Sequence, residues 1–472
     1  MKKILLITCI FFVSCAQELH VQSEIDTRSL PKKEITIVQV EDALNTLDDF
    51  LTHNDLTPTK SGQRRQYGKV HTYYKGGLYT KSESGDTTSN IPTAYVVNFE
   101  NEEGFAVLGA NNIVPDIIAV TEAGSINPVT LEIVSSRDVI KKSSSFFEDM
   151  DDEEIEEFYN QVVITADSLL YSVEDDDYYV GNLDNIEEFT SRMIHQTICT
   201  SFQDYYTGPG SGSEGGQNTT PSGPAPTNYT EKIPMLNYSW GQSYPFNIYC
   251  KRGAKKNKAA YTGCSTTAMA MIAAYNEFPD RLIINDIQIA WKEIKSQPLA
   301  DSLAFYYQTH IALLMGGIYN FVKKSPTKDY TLITPRQIQK RMKEFGYTDV
   351  KRTCATSLTT SMLSQISQML SEGKPVFISA IPKGVLNWGS GHSWVIDGAK
   401  YSPGGTYLLH MNFGWRGYSN GYFSKSSLNP AKAYEFDDPD LVYEDRDYVY
   451  SWNFRILTYN VPEEEKEYPI DF

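Results

Sequence analysis

Cysteine is scarce in this 472-residue chain: there are six, none of them in a Cys-x-x-Cys pair, beside only seven histidines. That scarcity argues against a disulfide framework, which needs dense cysteines, and against a zinc site built from paired ligands. Positive charge is also short, with 42 Lys and Arg against 59 Asp and Glu and a net charge of -17. No nucleic-acid partner is expected, because a phosphate-binding surface needs clustered Lys and Arg. Past the N-terminus, no apolar run reaches the roughly 18 residues a membrane-spanning helix requires. The acidic runs "EDMDDEEIEE" from Glu148 and "EDDD" from Glu174 lack the glycine and alternating ligands of a calcium loop, so they read as solvated faces.

What is present is a globular composition, 41% hydrophobic and 21% charged, enough for roughly two or three cores. Residues 1–15 read as a lipoprotein-type export signal: "MKK", the apolar "ILLITCIFFVS", then Cys15, which sits where a lipobox cysteine would be lipidated. The other reading is a soluble secreted protein in which Cys15 is incidental. Residues 16–32 then form a tether. "VQVEDALNTLDDFL" has helical spacing, with Val40, Ala43, Leu44, Leu47 and Leu51 on one face. The runs at Tyr95 and Phe105, joined by an acidic turn, read as a hairpin, and helical stretches follow from about Arg137 to Tyr171 and from Asn185 to Ile198. "GPGSGSEGGQNTTPSGPAPT", Gly208 to Thr227, cannot form a core and reads as an exposed, cleavable linker. The expected organisation is a folded unit over 33–207, a linker over 208–231 and a second unit over 232–472.

The chemistry gathers in that second unit. In "YTGCSTTAMAMIAAY", Cys264 heads a helical run of small residues. A helix N-terminus stabilises a thiolate, although a cysteine packed as a small hydrophobe fits the same stretch. The base expected to activate it is His392 in "GSGHSWVIDG", about 130 residues downstream, the spacing of papain-like nucleophile and base. Gly389, Ser390 and Gly391 would let a substrate backbone approach. Asn412 in "YLLHMNFGWRG" is expected to accept from the imidazole N–H, with Trp415 shielding that bond. His410 competes for the base role but lacks the glycine setting of His392. Gln242 in "YSWGQSYPFN" would aim its amide, with the Cys264 N–H, at the oxyanion of an attacked carbonyl. The resulting expectation is a Cys264 thiolate held by the helix end and by His392.

In that order, "WGQSYPFN", "TGCSTTAMAMI", "GHSWVIDG" and "HMNFGWRGYSNGYFSKSSLNP" resemble the streptopain-like (streptopain and interpain) papain-fold cysteine peptidases of Bacteroides type. Phe413 and Arg416 replace the tryptophan and glycine of that family's pattern, while Asn412, Trp415 and Gly417 match it. The segment Ala94 to Ile126 resembles part of the family's N-terminal pro-domain. The resemblance implies an α+β fold: a papain-like domain over 232–472, its helical part carrying the cysteine and its antiparallel β part the histidine, preceded by an α+β inhibitory pro-domain over 33–207. It further implies a zymogen that hydrolyses protein or peptide substrates by Cys-His acyl transfer. The pro-domain would be its inhibitor, and neither metal nor organic cofactor would be needed. With Cys15 lipidated, the precursor would sit on the outer membrane or cell surface and the catalytic domain would be released on processing. A papain-fold cell-wall amidase and a catalytically silent surface lipoprotein that binds a partner are the competing readings.

Overall fold

The amphipathic run at residue 40 forms helix α1 (Val40–Thr52), which buries Ala43, Leu47 and Phe50. This computed structural model describes residues 34–52, 65–74, 91–128, 133–134, 194, 229–243, 245–250, 260–296, 305–320, 333–355, 358–382, 392–417, 419–425, 452–463 and 467–470. The signal, Cys15, the helical stretch expected from residue 137, nearly all of the one expected from 185, and linker residues 208–228 lie outside that set. Residues 34–472 gather into one compact unit.

The expected hairpin is strand β2 (Pro92–Phe99) with β3 (Phe105–Gly109), and it is flanked by β1 (Tyr67–Tyr74) and β4 (Ile117–Thr121). Two short strands follow, β5 (Ser125–Ile126) and β6 (Ile133–Val134). Beyond the linker come α2 (Cys264–Asn276), β7 (Arg281–Ile284), β8 (Ile287–Gln288), α3 (Trp291–Lys295), α4 (Phe305–Tyr319) and α5 (Pro335–Glu344). The remainder is β9 (Thr348–Ala355), α6 (Thr360–Ser371), β10 (Val376–Pro382), β11 (His392–Tyr401), β12 (Tyr407–Asn412), β13 (Gly421–Ser424), β14 (Trp452–Asn460) and β15 (Glu467–Ile470).

Ten strands make one antiparallel sheet in the order β1-β2-β3-β4-β13-β12-β11-β10-β14-β9. The fold is α+β, with the N-terminal strands continuing the sheet that carries His392. The seam is β4 against β13, where Thr121, Val120 and Ala119 face Gly421, Tyr422 and Phe423. Strand alternation explains why β2, β3 and β4 have no exposed face. Ala94, Val96, Phe105 and Val107 turn into the main core. Their neighbours Tyr95, Ala106 and Leu108 join a second core with Phe50 of α1 and with Leu408 and Tyr422 of the C-terminal sheet.

Helix α2 is buried along Ser265 to Ala274, which fits a stretch of small and apolar residues on every face. It packs against β11 and α4. Helix α5 starts with a capping box: the Gln337 N–H donates to Thr334 Oγ1, the Thr334 N–H donates to Gln337 Oε1, and Pro335 opens the first turn.

Candidate active site

Gly263 precedes α2 at φ 80, a left-handed angle that a Cβ would resist, and it lets the chain turn sharply so that Cys264 becomes the first helical residue. Ser393 and Ser265 lie against the thiol and favour its charged form, each through both backbone and side chain. The two hydroxyls are themselves 2.9 Å apart. Ser393 follows His392 at the start of β11, so this contact ties the two expected catalytic segments together.

His392 is buried in an aromatic box. Trp394 stacks at 5.9 Å, Trp415 at 6.4 Å and Phe413 lies at 6.0 Å. Its Nε2 donates to the Phe413 carbonyl at 3.1 Å. A carbonyl can only accept, so Nε2 carries the proton and Nδ1 is the basic nitrogen of the neutral ring. Burial drives the imidazole down to about 3, with the Phe413 contact partly offsetting it. Burial likewise pushes the Cys264 thiol up, against the serine hydrogen bonds that lower it. In both groups burial opposes the charged form that the expected thiolate pair requires, while the hydrogen bonds favour it.

Asn412 also differs from expectation. Its Nδ2 donates to the Tyr238 carbonyl at 3.1 Å and its Oδ1 accepts from the Gly414 N–H at 3.2 Å. The Phe413 carbonyl, one residue on, takes the orienting place assigned to the Asn412 amide. Phe413 is in turn fixed by its N–H, which donates to Asn420 Oδ1 at 2.9 Å. Trp415 lies over the imidazole as expected. Gln242 is buried beside the segment that leads into α2, its backbone carbonyl accepting from the Thr262 N–H at 3.0 Å. Its Nε2 is buried without a hydrogen-bond partner, as is Trp415 Nε1. A donor in that condition suits an oxyanion that arrives only with substrate. Gly389, Ser390 and Gly391 lie outside the described residues.

His410 is held quite differently. Its Nδ1 donates to Asp397 Oδ1 at 2.6 Å and its Nε2 to Glu122 Oε1 at 3.1 Å. Despite burial, the two carboxylates raise it to about 10, so it is a fixed cation and not a general base. Cys250 is buried, Cys354 is exposed, and both are free thiols. Among the described residues, no three His, Cys, Asp or Glu side chains gather into a group that could hold a metal ion.

With this geometry in place, comparison with known proteins is informative. Residues 240–423 match the Peptidase C10 family. The streptopain-like resemblance of the sequence therefore holds, and all of the expected site residues except Cys15 fall inside the C10 segment. Over 224 residues the chain is 26% identical to the thiol protease/hemagglutinin PrtT of Porphyromonas gingivalis, covering 40% of this chain and 23% of that one. Over 197 residues it is 28% identical to streptopain of Streptococcus pyogenes serotype M28, covering 36% and 47% respectively. The chain thus spans less than half the length of these curated relatives. A prointerpain A fragment of Prevotella intermedia superposes with TM-score 0.44 at 16% identity, covering 84% of this chain and 100% of the fragment. Active interpain A superposes with TM-score 0.38 at 21% identity, covering 50% and 97%.

Three groups at this candidate site escaped the sequence reading. Ser265 and Ser393 stand next to the predicted residues, and adjacency was the available signal. The Phe413 carbonyl is backbone, which no residue identity announces.

Proposed function

We propose that this chain is a cysteine endopeptidase made as a zymogen. The observation that carries the reading is the convergence at the α2 N-terminus of Cys264, the His392–Ser393 strand end and the unpartnered amide of Gln242. In the reaction, His392 Nδ1 takes the thiol proton and Cys264 Sγ attacks the peptide carbonyl. Gln242 Nε2 and the Cys264 N–H hold the oxyanion, and His392 returns the proton to the leaving amine. Water then enters, His392 accepts its proton, and the thioester opens to release the acid. The Phe413 carbonyl and the Trp415 ring keep the imidazole in register, while Asn412 fixes the turn that presents Phe413.

The pairing of the N-terminal strands with the sheet that carries His392 supports a latent precursor in which residues 33–207 act as pro-domain and cutting within 208–231 frees the 232–472 unit. Lipidation at Cys15 would hold the precursor on the outer membrane until that cut. A silent surface lipoprotein could share this fold, so the deciding experiment is labelling by the epoxide inhibitor E-64, with casein hydrolysis, before and after an added protease cuts the linker. Labelling and casein cleavage should appear only after the cut and vanish in Cys264→Ala. No labelling in either state would remove the peptidase reading, and hydrolysis of peptidoglycan but not casein would replace it with an amidase.

A further inference from the structure

The seam between β4 and β13 has a carboxylate at each end, and each is received by groups on the C10 segment. At one end, Asp116 sits in the turn between β11 and β12. Ser402 Oγ donates to its Oδ1 at 2.8 Å, Thr406 Oγ1 to the same oxygen at 2.6 Å, and the Gly404 N–H to Oδ2 at 2.8 Å. A Cβ built on Gly404 would lie 2.5 Å from Asp116 Oδ2, so glycine is what leaves room for the carboxylate. At the other end, Glu122 accepts from His410, and its N–H donates to the Asn420 carbonyl at 2.8 Å. Between them, Ala119, Val120 and Thr121 pair with β13. Charge-assisted bonds of this kind are about twice as strong as neutral ones, and the apolar side chains between them are shielded from water.

We infer that the β13 edge, bounded by the Ser402–Thr406 turn and by His410, is a receptor for a β-strand with a carboxylate at either end, and that Asp116–Glu122 is the strand it takes. The receptor belongs to the C10 segment and outlasts any cut in the linker, so the N-terminal part stays clasped after cleavage and is let go by acid. The consequence for latency rests on the zymogen reading; the clasp itself does not.

The pH sensitivity follows from the groups that face Glu122 and His410. Glu122 is lowered from its ordinary 4.5 because His410 and Arg65 outweigh the burial that opposes them. Arg65, which donates to the Thr121 carbonyl at 2.9 Å, also faces Glu103. On the far side of the ring stands Asp397, whose Oδ2 accepts from the Leu236 N–H, and Tyr422 meets the ring edge-on at 4.9 Å. A carboxylate stabilised by docking favours the docked state above its unbound pKa and ceases to do so as pH falls through the docked value. Acid therefore loosens the Glu122 end.

The test uses the full chain in a Cys264→Ala background, cut in the linker by an added protease, with retention of the N-terminal fragment on the C-terminal one read by size-exclusion chromatography and by dissociation on dilution. The fragments should co-elute at pH 6 and separate below pH 4. Asp116→Asn with Glu122→Gln should weaken the complex about tenfold or more at pH 6, since each charged hydrogen bond contributes on that order. The same double variant should flatten the acid step. Gly404→Ala, made on the receptor side, should weaken the complex while leaving the Glu122 acid step in place. Equal retention in all three proteins, or an unchanged acid step in the double variant, overturns the clasp. The zymogen reading fails separately: in the Cys264 protein, casein hydrolysis that is the same before and after fragment separation removes latency and leaves the clasp standing.

Discussion

Two buried histidines on neighbouring strands end in opposite states. His392 lies among Trp394, Phe413 and Trp415 with a carbonyl as partner and is driven to about 3. His410 lies between two carboxylates and is raised to about 10. Burial opposes charge in both, so the neighbours decide. Aromatic walls and a carbonyl leave a ring that can take a proton, whereas carboxylates on both nitrogens leave one that cannot give its protons up. The first arrangement suits chemistry and the second suits holding two parts of the chain together.

Substitutions can break this contrast. The largest effect belongs to Cys264→Ala, which should abolish peptide hydrolysis in the cut protein while its circular dichroism and melting stay those of the parent; residual turnover at parental rate would move the nucleophile elsewhere. His392→Ala should lower kcat by about 10² to 10⁴ with little change in melting, as loss of a general base does. His410→Ala should do the reverse, destabilising the chain by about 3–5 kcal/mol because Asp397 and Glu122 are left as uncompensated buried charges. A kcat loss in His410→Ala larger than in His392→Ala, read on material shown to be folded, would exchange their roles. Gln242→Ala should cost about 10² to 10³ in kcat, the usual effect of deleting one oxyanion donor.

The smallest effect sharpens the comparison through pH. A raised His410 contributes stability that is full below its unfolded value of 6.5 and is lost as pH rises through about 10. A depressed His392 works in the opposite sense: its contribution is present above 6.5 and is lost as pH falls through about 3. Melting curves of the parent, His410→Gln and His392→Gln across pH should therefore diverge on opposite sides of 6.5. Parallel curves would mean that the two rings share one environment.

Much of the site was legible because its signals are local. Small residues after Cys264 specify a helix buried on every side, and the short apolar runs after His392 and before Asn412 specify strands buried on both faces. Glycine before Cys264 marks the turn that presents it. The protonation states were not legible, since the rings around His392 come from both β11 and the turn after β12, and their joint effect appears only once those segments meet. The seam was hidden for a related reason: Val120 and Tyr422 pair across the whole linker, and nothing within either segment names the other. The helix expected of 38–51 forms from Val40 to Thr52 because one apolar face sufficed to specify it, with only Val40 of that face left on the solvent side.

The small mixed sheet of β15, β7 and β8 carries a consequence for how the chain is made. Strand β7, which follows the nucleophile helix almost at once, pairs with β15, and Tyr468 from β15 packs on Phe278 at 6.3 Å and crowds the bare face of Gly346. A ribosome delivers β7 long before β15, and a pairing so distant in sequence forms late because its loop must close first. The flank of the helix bearing Cys264 is then completed late, whereas the β2–β3 hairpin has local contacts and pairs early. Order of synthesis thus places β4 ahead of the completed flank of the Cys264 helix.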